Sequence, residues 1–317
     1  MSEIIKTEAS ENAEANTPTI AAANPDNPER QSFPAYAKLN LSLEILSKRL
    51  DGFHDLASVM QTVSLADTLY LAPSADIEFD CNLPELVDET NLVWRAANML
   101  HELVPFGEKR GVSLYLEKAI PVAAGLGGGS SDAATALFAI NWFWNLGLSA
   151  EKLEEMSARL GSDVPFFIKG GTALVEGRGE KLTPLPPLGK YWMVLLYPEV
   201  NLPANKTATL YRSLARNDFS GGQITRELVK SIRAEKPLSE SLLFNSFERL
   251  VYDLFPEIDY YRNAMVNAGA EFVRVSGSGP TLYALVGSKE EGRNIVNTLE
   301  QAGYLVYLAE TVESTFA

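Results

Sequence analysis

One cysteine, Cys81, stands in 317 residues. An intramolecular disulfide and a thiolate metal cluster are therefore excluded. Histidine is nearly as scarce: His54 and His101 are too few soft ligands for a zinc site. Basic residues are outnumbered, 27 against 41 acidic, giving a formal net charge of −14. That excess repels a nucleic-acid polymer at long range. It does not exclude one nucleotide, because backbone N–H groups and a few local cations hold phosphates inside an acidic protein. Long apolar runs are also missing. The longest candidate, Ala133 to Leu148, is broken by Asn141 and Asn145 and reads as a buried helix rather than a membrane span. The N-terminus shows neither a basic-then-apolar signal nor an Arg-rich, acid-poor transit segment, so the expected location is the cytoplasm.

What remains is a chain long enough for two packed cores. Residues 1–32 lack an apolar period and carry six acids against Lys6 and Arg30. Such a segment buries too little surface to offset its ordering entropy and is expected to be a disordered tail. Order is expected from Phe33. Residues Ala37 to Ile45 alternate apolar and polar, the pattern of a half-buried strand. Asp51-Gly52 marks a turn. Ile77 to Phe79 and Val112 to Leu116 read as strands, and Leu92 to Leu103 has helical spacing. A Gly-rich loop, Pro121 to Asp132, feeds a core helix from Ala133 to Leu146 that Gly147 ends. Ser149 is the expected N-cap of the next helix, with Leu153, Met156 and Leu160 on its inner face. The proline-rich stretch Thr183 to Gly189 is neither helix nor central strand and marks the expected boundary between domains at 33–187 and 188–317. Beyond it, a strand over Tyr191 to Leu196 and a strand–helix–strand alternation from Val275 onward predict an α/β-plait layer.

The loop carries the clearest chemistry. Within Pro121, Val122, Ala123, Ala124, Gly125, Leu126, Gly127, Gly128, Gly129, Ser130 and Ser131, four of five consecutive positions from Gly125 are glycine. Glycine permits backbone conformations closed to other residues and lets the chain approach an anion. The following helix presents free N–H groups and the positive end of its dipole. Two commoner phosphate loops are ruled out. No lysine closes the motif as in a Walker A loop. Ser130 also stands sixth from Gly125, where a dinucleotide-binding loop has glycine.

This loop resembles the ATP loop of the GHMP kinases. Four further motifs follow the same resemblance. They are Ala35 to Leu41 with Lys48 to Leu56, Gly161 to Phe167, Asn201 to Tyr211, and Val275 to Thr281. The second of the five, with Lys38, Asn40, Phe53 and His54, is similar to the N-terminal signature of the diphosphocytidyl-methylerythritol kinases within that superfamily. The resemblance runs from about Phe33 to the C-terminus. It implies a two-domain α+β fold, with a ribosomal-protein-S5-like N-terminal domain and a ferredoxin-like α/β-plait C-terminal domain. It also implies ATP-dependent phosphorylation of a cytidine diphosphate-linked methylerythritol, with Mg²⁺ accompanying ATP. No nucleic-acid polymer or membrane is expected as a partner, and the expected state is a monomer or weak homodimer.

Carried over residue by residue, the resemblance assigns Asp163 as general base and Lys38 as the neighbouring cation. The loop 121–131 holds the ATP phosphates, and Asn91 and Lys118 serve the adenosine side. Asn40 places the methylerythritol hydroxyls. Phe53 and His54 contact cytosine, Tyr211 stacks on its second face, and Thr207 lies near the reacting phosphate. Phe53 stands where the family often has tyrosine, so stacking is retained and a phenolic hydroxyl is not. For Mg²⁺, Asp132 and Ser130 are candidates. Pro165 is expected to hold Val164 extended, and Phe166 and Phe167 to dry the pocket. Other members of the superfamily, such as homoserine or mevalonate kinases, and a silent nucleotide-binding member of the fold are the rival readings.

Overall fold

The computed structural model describes residues 30–105, 110–203 and 205–316. Most of the expected acidic tail, residues 1–29, lies outside the described residues. Two long strands, β1 (Gln31–Lys48) and β2 (His54–Ala72), form an antiparallel hairpin whose turn uses Gly52 at φ 86°. β1 begins two residues before the expected start of order, because Gln31 and Ser32 pair with Leu71 and Tyr70. Then follow β3 (Ile77–Cys81), α1 (Leu92–His101), β4 (Val112–Glu117), α2 (Gly128–Phe143), α3 (Ala150–Ser157), α4 (Val164–Lys169), β5 (Thr172–Gly177) and β6 (Lys181–Pro184). The second half contributes β7 (Trp192–Tyr197), α5 (Lys206–Ser213), α6 (Gln223–Arg233), β8 (Phe244–Asn245), α7 (Glu248–Leu254), α8 (Glu257–Asn267), β9 (Arg274–Val275), β10 (Leu282–Val286), α9 (Lys289–Gln301) and β11 (Leu305–Glu310).

Among the described residues the first sheet runs β3-β4-β2-β1-β8, with β5 also on β2 and β6 on β5. The second is antiparallel in the order β11-β7-β10-β9. Reading β7, the α7–α8 pair, β9, β10, α9 and β11 along the chain gives the split βαβ of a ferredoxin-like layer. Together the two sheets form the two-domain α+β fold expected from the sequence.

β1 is not the half-buried strand that its alternation suggests. Lys38, Asn40, Ser42 and Glu44 are all buried, as are Leu39, Leu41, Leu43 and Ile45. Both faces of the strand are covered, and a register shift between Asn40 and Ser42 exchanges which residues take which face. An extra residue in a strand reverses which face each later side chain takes. Ala37, Leu39 and Leu41 accordingly join the core that includes Leu228 and Ile232 of α6, whereas Leu43 and Ile45 join the core under α2. Ser42 and Glu44 turn toward α6, where Thr225 Oγ1 lies 3.0 Å from Ser42 Oγ and Glu44 accepts from Thr225 N–H at 2.7 Å. Lys38 and Asn40 are left on the opposite face.

Two helices differ from expectation. α2 begins at Gly128, inside the loop, and ends at Phe143 rather than near Leu146, with Asn145 at φ 51° turning the chain. Val164 is helical, not extended. Pro165 occupies the first turn of α4, where a missing N–H breaks no intrahelical bond. Ser149 caps α3 as expected, accepting from Lys152 N–H at 3.3 Å.

After β11 the chain returns to the first sheet as a strap, residues 311–316. Val312 N–H donates to Thr62 C=O at 2.9 Å, and Thr315 N–H to Lys169 C=O at 3.3 Å. Phe316 stacks on Phe138 of α2 with centroids 4.0 Å apart. Gly170 and Gly171 make this approach feasible, since a Cβ on Gly171 would meet Glu313 O at 2.4 Å. No helix among the described residues is long and apolar enough to cross a membrane.

Candidate active site

The Gly-rich loop borders a cavity of about 310 Å³. Its wall includes Pro121 to Gly125, Gly127 to Ser130, Asn91, Lys118 and Asp132, with Leu86, Leu92 and Leu116 adding apolar surface. Leu126 and Ser131, expected with the loop, are not on this wall. Leu126 is buried and its C=O accepts from Lys38 N–H at 2.9 Å. Ser131 is turned into the core by the pitch of α2, and its Oγ has no partner. Asn91 is committed locally: it caps α1 by accepting from Val93 N–H at 2.9 Å and donates to Leu86 C=O at 2.9 Å.

Glycine is required at Gly125. Its φ is 82°, and a Cβ there would stand 2.5 Å from Ser276 O and 2.9 Å from Gly279 O. The loop and the second glycine turn, 276–279, are thus in backbone contact, and Ser276 Oγ donates to Gly125 C=O at 3.2 Å. Asn245 of β8 holds that second turn by donating to Val275 C=O at 2.8 Å and Gly277 C=O at 2.7 Å. Gly125→Ala is expected to raise the KM for ATP at least about tenfold, with about 1–3 kcal/mol lost from stability through backbone strain. Steady-state kinetics and denaturant unfolding measure the two effects.

Beneath the loop lies an anchor that sequence reasoning did not assemble. Asp67, fully buried, accepts from Ala119 N–H at 2.6 Å and Ile120 N–H at 2.7 Å through one oxygen, and from Lys118 Nζ through the other. Lys118 Nζ also donates to Asp132 at 2.7 Å. Two carboxyl groups share one ammonium in a dry place. Burial, with Asp67 beside it, pushes the Asp132 carboxyl well above the usual carboxylate range against the opposing pull of Lys118. Burial works against the Lys118 charge, but Asp132 and Asp67 more than offset it and raise its pKa. The Lys118 ammonium is therefore occupied in holding the entry to the loop. Nothing in the chain marks Asp67 as a partner of Lys118, 51 residues away.

On the other side of the loop stand Lys38 and Asp163. Lys38 is 4% exposed, donates to Asn40 Oδ1 at 2.6 Å, and lies 3.9 Å from Asp163 Oδ2. Burial lowers the Lys38 pKa, and Asp163 partly opposes this. Asn40 in turn donates to Ser58 Oγ at 2.8 Å, which fixes its amide. Asp163 occupies the cap position of α4 yet makes no capping hydrogen bond, and its side chain is 38% exposed. A carboxylate at a helix start that does not cap is free to accept a proton from a ligand. Phe166 and Phe167 are buried as expected, and Phe167 lies directly against Gly127.

The four remaining predicted residues divide. His54 and Tyr211 meet, with centroids 5.1 Å apart, and Phe219 borders the same imidazole at 6.0 Å. Burial, then Lys48, holds the His54 pKa below its ordinary value of 6.5, so the ring is neutral near pH 7. Burial, with Asp163 nearby, raises Tyr211 to about 12. Phe53 sits apart at the rim, 55% exposed, with the Arg178 guanidinium 4.6 Å from its ring centre. Thr207 Oγ1 is 2.8 Å from Ser278 Oγ of the second glycine turn. Lys206, next to it, was not singled out from sequence, where it looks like any helix-start lysine. It is buried, and its Nζ donates to Ala123 C=O at 3.3 Å and to Gly279 C=O.

A glycine loop opening a helix, an uncapped aspartate beside a buried lysine, and a neutral imidazole set among aromatic rings suit transfer of a phosphoryl group to a small acceptor. The family pattern described as GHMP kinases N terminal domain matches residues 91–171, and that described as GHMP kinases C terminal matches residues 227–305. The class is therefore the GHMP kinases, which take ATP as phosphate donor. The chain is 44% identical over 278 residues to the 4-diphosphocytidyl-2-C-methyl-D-erythritol kinase of Dehalococcoides mccartyi, covering 88% of this chain and 97% of that protein. It is 39% identical over 272 residues to the enzyme of the same name from Bacillus subtilis, covering 84% and 91%. A crystal structure of 4-(cytidine 5'-diphospho)-2C-methyl-D-erythritol kinase superposes with a TM-score of 0.76 at 32% identity, over 89% of this chain and 99% of that one. The chain belongs to the 4-diphosphocytidyl-2-C-methyl-D-erythritol kinase family. A homoserine kinase from Cytophaga hutchinsonii, at 18% identity and a TM-score of 0.65, shares the fold.

Proposed function

We propose that the protein transfers the γ-phosphoryl group of ATP to the 2-hydroxyl of 4-diphosphocytidyl-2-C-methyl-D-erythritol. The observation that carries the reading is the pairing of Lys38 with an uncapped Asp163 across a glycine loop that borders a nucleotide-sized cavity. Phosphoryl transfer needs positioning and charge neutralisation more than covalent chemistry.

In this mechanism the backbone of the 121–130 loop and the first turn of α2 hold the phosphates. Asp163 accepts the hydroxyl proton as the new P–O bond forms. Lys38, 3.9 Å from Asp163, faces the charge that develops on the transferring group. Asn40 orients the acceptor hydroxyl. His54, neutral at working pH, offers cytosine one donor and one acceptor, while Tyr211 and Phe53 provide π-faces. Mg²⁺ would neutralise charge between the phosphates and would take few protein ligands, keeping waters and phosphate oxygens. Ser130, on the cavity wall, fits that role. Asp132 on the same wall has Oδ2 on Lys118 and Oδ1 without a protein partner.

The test is ADP release with Mg-ATP, comparing the cytidine substrate with homoserine and mevalonate. Turnover confined to the cytidine substrate is the expected result. Turnover with another acceptor would overturn the roles given to His54, Tyr211 and Phe53 and leave the phosphate site standing.

A further inference from the structure

Two glycine turns from distant parts of the chain meet at this site, and a single side chain is bonded to both. Lys206 Nζ donates to Ala123 C=O in the first turn at 3.3 Å and to Gly279 C=O in the second. The residue is 6% exposed. It stands in the first turn of α5, beside Thr207, whose hydroxyl also reaches the second turn.

We propose that Lys206 is a positioning residue for ATP: its ammonium clamps the two glycine turns together and so holds the loop that meets the phosphates. This rests on the reading that the 121–130 loop holds the ATP phosphates. The charged group acting on it is Lys38 of β1, which in turn lies 3.9 Å from Asp163 at the start of α4. Two ammonium groups against one carboxylate leave the place short of negative charge until an anion enters. Burial, then Lys38, lowers the Lys206 pKa to about 8. A phosphate nearby favours the charged form. Binding above pH 8 therefore takes up a proton, and affinity must fall as pH rises. Below pH 8 the ammonium is already formed and the clamp is complete.

The experiment measures the Kd of a non-hydrolysable ATP analogue with Mg²⁺ by calorimetry between pH 7.5 and 9.5. The full chain is used, with wild type, Lys206→Arg and Lys206→Met compared. In the wild type, affinity is expected to fall by up to about tenfold per pH unit above pH 8. Arginine stays charged throughout, so Lys206→Arg is expected to flatten the profile while binding within a few-fold of wild type at pH 7.5. Lys206→Met is expected to be flat and at least about tenfold weaker. A wild-type slope that persists in both variants would assign the titration to another group such as Lys38 and overturn the proposal. So would a Lys206→Met protein that binds as wild type does. If the folded wild type fails to bind the analogue at any pH, the phosphate-loop reading itself falls, and the clamp with it.

Discussion

Asparagine in place of Asp163 is expected to lower kcat by about 10²- to 10⁴-fold, the range that a positioned proton acceptor contributes. The KM for ATP should change little, because the loop backbone, not Asp163, is assigned to the phosphates. The substitution keeps size and polarity and removes the charge that faces Lys38 at 3.9 Å. Since Asp163 does not cap α4 and is partly exposed, stability should hardly move. Lys38→Met separates the two halves of the pair. Burial holds the Lys38 pKa below its ordinary 10.5. A cation with a lowered folded pKa weakens the fold at neutral pH, and that penalty lifts as pH rises past the folded pKa. Removing Lys38 is therefore expected to slow turnover without lowering the melting temperature. Rapid-quench kinetics beside thermal melts test both variants. Near-wild-type turnover in Asp163→Asn would remove it as the proton acceptor.

The largest loss of stability is expected at Asp67, which does not face the nucleotide. Asp67→Ala leaves the buried Lys118 ammonium with Asp132 alone and strands two backbone N–H groups. Removing one partner of a buried ion pair destabilises by about 3–5 kcal/mol. For a domain of this size that is a large part of the total. Asp132→Asn is the contrast. Its carboxyl pKa is raised in the fold, so the folded state binds more protons than the unfolded chain, and its contribution to stability declines as pH climbs above the unfolded value. A neutral amide there should be tolerated near pH 7. Urea unfolding of the two variants checks the order. Equal losses would show that the three groups do not divide charge as described.

The first strand with its Asp51-Gly52 turn, the glycine loop and the second-half strand–helix–strand were legible in the sequence because each depends on local pattern: alternation, glycine density, helical spacing. What escaped depends on contacts between distant residues. Alternation in β1 is visible from Ala37 to Ile45, but the cover that α2 gives one face and α6 the other is not, nor is the shift between Asn40 and Ser42 set by pairing with β2. Lys118 was expected at the nucleotide and lies on the cavity wall. That two carboxylates hold its ammonium follows from the meeting of β2, the β4–α2 connection and α2. Val164 precedes a proline and was expected to be extended. Its helical state follows from Pro165 falling in the first turn, a matter of one residue in phase. Lys206 falls inside the Asn201-to-Tyr211 motif, but nothing there gives it a role. Its place between two glycine turns exists only once both halves have folded.

The strap from residue 311 to 316 has a consequence for the order of assembly. Lys38, the glycine loop and Asp163 all precede residue 164 in the chain, yet the backbone partners of Thr62 and Lys169 are Val312 and Thr315. Gln61 also reaches Val312 C=O, 251 residues away. Contacts of such long separation form late, because loop closure must be completed before they stabilise anything. A refolding chain would thus possess every proposed catalytic side chain in a native-like first sheet while α4 still lacked its far anchor. Recovery of activity should trail recovery of secondary structure, and the interval between them measures how long the chain takes to find its own far end.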